Sequence, residues 1–153
     1  MTLLKWASFL LYTAVLAWED YRSGMLDLRS IAAGALVGAA FLVLEAVGAA
    51  QGWLSILLSR GSALLWGILL LILSRLSRDA LGKGDGLCFL SFAVWWGFIR
   101  VFSLLFLSLL LSALAGMGLL LLRRKKRKDS LPLMPFLWGA ALVLCLMDFG
   151  RGL

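Results

Sequence analysis

Asp20 closes an apolar run from Thr2 to Trp18, and Asp85 lies within Gly82-Lys83-Gly84-Asp85-Gly86, just before the apolar run that opens at Leu87. A carboxylate at or near membrane depth is costly to keep ionised, so it marks a proton relay, an ion path or a catalytic site. Two carboxyl groups held close together cannot both ionise easily, and one stays protonated while the other acts as a base. Such a pair activates water against a peptide carbonyl. The ionised group takes a proton from water, the protonated group polarises the carbonyl oxygen, and the pKa values belong to the pair. This chemistry needs no cofactor and no metal. The chain has no His, which excludes the Ser-His type of site and deprives zinc of its imidazole ligands. Gly82, Gly84 and Gly86 permit backbone shapes closed to other residues and let an extended substrate come close. Taken alone, Gly-x-Gly-Asp equally fits a solvated turn with the aspartate as a helix N-cap.

The elements that must position these carboxylates are apolar. The chain is 63% apolar over 153 residues, and several runs approach the ~20 residues that cross a bilayer as a helix. An all-α polytopic membrane protein of about six spans in one domain is expected. The spans run from Leu3 to Trp18, Ile31 to Ala50, Ser62 to Leu76, Leu87 to Trp96, Val101 to Leu122 and Leu133 to Met147. The first ends in Trp18-Glu19-Asp20-Tyr21-Arg22, a poor leader-cleavage site, and reads as a retained span. Leu87 to Leu122 as one helix would exceed ~50 Å at ~1.5 Å per residue, so a tight turn is expected near Trp96-Gly97-Phe98. Trp95, Trp96 and Arg100 are expected at a membrane interface there. Gln51 to Arg60 reads as a short interfacial segment, with an extended third span as its alternative.

The net charge of +7 is gathered where loops would be, above all in Arg123-Arg124-Lys125-Lys126-Arg127-Lys128. That pattern fits topological anchoring beside anionic headgroups, not nucleic acid. The distribution of Lys and Arg puts both termini outside and both aspartates on the cytoplasmic side. Cys88 and Cys145 stand apart within apolar runs and read as buried thiols. Asp27 reads as a helix cap, Asp79 as a solvated loop charge, and Glu45, Asp129 and Asp148 as interfacial acids near span ends. Arg22 and Lys83 read as anchors. Gly34 and Gly38 form a Gly-x-x-x-Gly pair suited to close helix packing within the bundle.

Three segments together resemble the prepilin peptidase family, the aspartic membrane endopeptidases that trim leaders from type IV prepilins and pseudopilins. They are Asp20-Tyr21-Arg22-Ser23-Gly24, Leu81-Gly82-Lys83-Gly84-Asp85, and Leu131-Pro132-Leu133-Met134-Pro135-Phe136-Leu137. They are similar to the family's Asp-x-Arg/Lys segment, its Gly-x-Gly-Asp motif and its Pro-x-x-Pro-Phe entry to the last span, in family order. The resemblance implies that Asp20 and Asp85 are the catalytic pair and that Gly82, Gly84, Pro132 and Pro135 shape loops or contact substrate. It further implies a peptidase-only form without the methyltransferase segment, no cofactor, and a prepilin or pseudopilin helix as substrate. The setting implied is a bacterial or archaeal plasma membrane with the active site facing the cytoplasm. The chain departs from the family pattern at Leu26-Asp27-Leu28, where Ile-Pro-Asn is usual, and at Leu87, where a Lys is usual. Those departures motivate one alternative, a catalytically silent scaffold of a pilus or secretion assembly. A small proton-coupled transporter using the same carboxylates is another.

Overall fold

The computed structural model describes residues 2–48, 52–76, 83–121 and 133–150. Six helices follow one another: α1 (Thr2–Ser23), α2 (Leu28–Gly48), α3 (Trp53–Leu76), α4 (Lys83–Trp95), α5 (Phe98–Leu121) and α6 (Met134–Gly150). No strand occurs among the described residues. Leu28–Gly48, Trp53–Leu76 and Phe98–Gly118 are long and apolar enough to cross a membrane, and α4 and α6 are shorter apolar helices. Large apolar side chains such as Leu36, Leu58, Leu76 and Leu146 stand exposed on these helices, as lipid-facing residues do. The chain is a helical membrane protein. The helices fall into two compact units, one of Met1–Gly24 with Leu104–Leu153 and one of Met25–Ser103.

In the first unit α1 packs on α6. Trp6, Phe9, Thr13 and Leu16 of α1 are buried, as are Met134, Leu137, Ala140, Ala141 and Cys145 of α6. Hydrogen bonds tie the pair at both ends: Trp6 Nε1 donates to Asp148 Oδ2 (3.1 Å), and the Met134 N–H donates to Asp20 Oδ2 (3.1 Å). The start of each helix meets the end of the other, so the two run antiparallel. Asp148, near the end of α6, is thus the acceptor for a buried indole.

In the second unit α4 packs against both α2 and α3. Trp95 is fully buried and its Nε1 donates to the Gly34 carbonyl oxygen (2.9 Å). A Cβ on Gly38 would lie 2.7 Å from the same indole. The Gly34/Gly38 pair is therefore a slot for Trp95. Trp95 and Trp96 are both buried in this packing, Trp95 because the small residues of α2 leave room for an indole that a larger side chain would fill. Gly67 of α3 does the same for Leu90, whose backbone nitrogen lies 2.7 Å from where a Cβ would stand.

The expected turn is present, with α4 ending at Trp95 and α5 opening at Phe98. The expected break before Ser62 is not, and the alternative of an extended third span holds. Residues 53–60 continue as α3, because Arg60 finds Glu45 of α2 at 2.7 Å and its charge is met inside the unit. Glu45 is correspondingly a helix-pairing residue.

Candidate functional site

Asp20 sits in the last turn of α1, two residues past the apolar run that ends at Trp18. A helix C-terminus disfavours negative charge, whereas a helix N-terminus favours it. The Asp20 carboxylate reaches the favourable end of another helix, where it caps α6 through the Met134 amide. Pro135, next in line, brings no N–H to a turn that has no intrahelical acceptor for one. Half-burial pushes the Asp20 carboxyl above its ordinary value, against the smaller opposing effect of the Met134 N–H. The group is thereby moved toward the protonated state that one member of an aspartic pair must hold.

Two residues stop α1 and restart the chain. Gly24 adopts φ 62° and its N–H donates to the Asp20 carbonyl oxygen (2.9 Å), a glycine helix stop. Asp27 then caps α2, its Oδ1 accepting from the Arg29 N–H (3.0 Å) and its carbonyl from the Ile31 N–H (3.2 Å). Asp27 is a cap, as expected. No continuous helix joins it to Asp20.

Asp85 lies half-buried in the first turn of α4, where the helix dipole favours negative charge. The flexible glycine loop expected around Asp85 is absent from Lys83 onward. The backbone is helical from Lys83 onward, so Asp85 is inside the first turn and Gly84 shapes no loop. A Cβ on Gly84 would meet Leu26 at 3.0 Å, and one on Gly86 would meet Leu71 at 2.7 Å. These glycines serve close packing around Asp85 rather than unusual backbone angles. Gly82, Pro132, Asp79, Asp129 and the basic run 123–128 lie outside the described residues.

The sequence did not single out the cleft beside the Asp20 turn. About 290 Å³ in volume and almost wholly apolar, it is lined by Ala14, Ala17, Trp18 and Tyr21 along one face of α1 and by Pro135 and Trp138 of α6. The small Ala14 and Ala17 form a floor between aromatic walls; their spacing with Trp18 and Tyr21 is the helical signal that could have revealed it. Cys88 and Cys145 are buried thiols. Among the described residues no group of three His, Cys, Asp or Glu is placed to hold a metal ion.

The structure thus places Asp20 at the α1–α6 junction of the first unit and Asp85 at the start of α4 in the second. No protein-family model matches the chain, and comparison with curated proteins and with solved structures returned no significant match.

Proposed function

We propose that the protein is a membrane aspartic endopeptidase of the prepilin-processing type, with Asp20 and Asp85 as its catalytic pair. The observation that carries the reading is the state of Asp20: a half-buried carboxyl at the end of an apolar helix, pushed toward protonation and fixed by the Met134 amide. In this mechanism Asp20 is the protonated member and polarises the scissile carbonyl, while Asp85 accepts a proton from the attacking water. Both carboxyl groups must reach one water for that step to proceed. The substrate is a prepilin or pseudopilin whose basic leader meets its apolar helix at the cytoplasmic face. Six crossings with both termini outside are the topology this requires.

The same Asp20–Met134 bond favours a second reading, in which the carboxylate is only a cap and the chain a catalytically silent scaffold. Asp20→Asn separates the two. It keeps an acceptor oxygen for the Met134 N–H and removes the acid. With a prepilin co-expressed, the peptidase reading expects leader removal by wild type and none by Asp20→Asn, although that variant accumulates normally in the membrane. Continued processing by Asp20→Asn would sink the peptidase reading.

A further inference from the structure

Within the second unit, the end opposite Asp85 gathers positive charge. Arg60 of α3 is largely withdrawn from solvent, its side chain 13% exposed, and its Nη2 donates to Glu45 Oε2 at 2.7 Å. Its Nη1 is buried, and no described residue accepts a hydrogen bond from it. Arg100, in the first turn of α5, is exposed and lies with its guanidinium 4.8 Å from the centre of the Trp96 ring. It is close enough to Arg60 for the two positive charges to repel. Arg60 and Arg100 therefore bring two positive charges to one end of the unit, beside Glu45.

The scaffold around them is tight. Ser59 Oγ stands directly against Gly97, where any Cβ would collide with it. The Trp66 ring packs on Phe98 (5.3 Å) and Phe102 (4.9 Å), which fixes the start of α5 on α3. The positive end of the α5 dipole is held at this same place. A guanidinium recessed in a membrane protein with one N–H edge turned away from its carboxylate is a costly arrangement unless an anion completes it. A fork of planar donors matches the oxygens of a phosphate. Arg60 stands about 10 Å along α3 at ~1.5 Å per residue, and α3 at roughly 36 Å is longer than a ~30 Å hydrocarbon core. That length brings the Arg60 turn close to headgroup depth.

We infer that Arg60 and Arg100, steadied by Glu45 and the Trp96 ring, form a phosphate-binding site at the α3–α5 end of the second unit. The phosphate comes from the headgroup of an anionic lipid or from free phosphate. Arg60 supplies the recessed donor edge, and Arg100 closes over the anion from the exposed side.

The test uses the full chain in neutral detergent with two probes, dioleoylphosphatidylglycerol and inorganic phosphate. Native mass spectrometry counts retained lipid, and thermal unfolding reads the stabilisation by each probe. Arg100→Gln removes the exposed arm without touching the buried ion pair. The double variant Glu45→Gln with Arg60→Gln removes the recessed arm without stranding a charge. Arg29→Gln, an exposed cation elsewhere in the unit, is the control. Wild type is expected to retain the lipid at least fivefold more than Arg100→Gln, with Arg29→Gln like wild type. Stabilisation by the lipid alone assigns the headgroup as the source, and stabilisation by inorganic phosphate as well assigns a general phosphate site. Equal retention and equal stabilisation in wild type and Arg100→Gln, or an equal loss in Arg29→Gln, would overturn the site.

Discussion

Asp20→Asn keeps an oxygen where the Met134 N–H needs one, so the α6 cap survives while the proton chemistry does not. Its effect on thermal unfolding is expected to stay within about 1 kcal/mol. Asp20→Ala removes the cap as well and is expected to cost about 0.5–2 kcal/mol more. Scanning both in the same detergent checks the difference. The raised Asp20 carboxyl also sets a pH signature. With its folded pKa above the unfolded value of 3.8, the native state binds more protons in the interval between them. Its contribution to stability is therefore fully present below pH 3.8 and is lost as pH rises through the folded value. Wild type should lose stability relative to Asp20→Asn as pH rises across that interval, and a flat difference would remove the burial argument. Both aspartates stood out in the sequence because carboxylates are conspicuous beside apolar runs. The partner of Asp20 did not. A backbone amide 114 positions away has no side-chain signature.

Helix packing here depends on what glycines leave open. Gly61 and Gly67 lie in the same helix, yet a Cβ on Gly61 meets nothing within 4 Å, whereas one on Gly67 meets the Leu90 backbone nitrogen at 2.7 Å. Gly67→Ala should therefore force α3 from α4 and cost about 1–3 kcal/mol, and Gly61→Ala should be neutral or stabilising by about 0.5–1 kcal/mol. Thermal midpoints of the two variants decide it, and equal values would contradict this packing. At this scale the turn at Gly97 was legible, because an apolar run too long for one crossing has to break. So were the Asp27 cap and the Gly34/Gly38 contact. The helical start of α4 was not, since three alternating glycines resemble a loop until Leu26 and Leu71 are seen filling the space beside them. The continuity of α3 through Arg60 was legible only as the alternative, for a related reason. A charge argues against burial only until its partner, here Glu45 fifteen residues earlier, is in view.

For the whole molecule, the helical membrane class followed from composition: long apolar runs leave the backbone only its own hydrogen bonds to make in lipid. What composition could not give was the pairing of helices, α1 with α6 and α4 with α2 and α3, because every apolar face reads alike in sequence. The proposed endopeptidase mechanism asks residues from both units to serve one water. Purified full-length protein in detergent, given a synthetic prepilin segment containing the leader and the first turns of the apolar helix, tests it most directly. Cleavage in oxygen-18 water, followed by mass spectrometry, is predicted to yield a single cut at the leader junction with one labelled oxygen in the new carboxylate. Asp20→Asn and Asp85→Asn are each predicted to lower the rate at least a hundredfold. A cut made by either variant at the wild-type rate would contradict the assignment of the two aspartates.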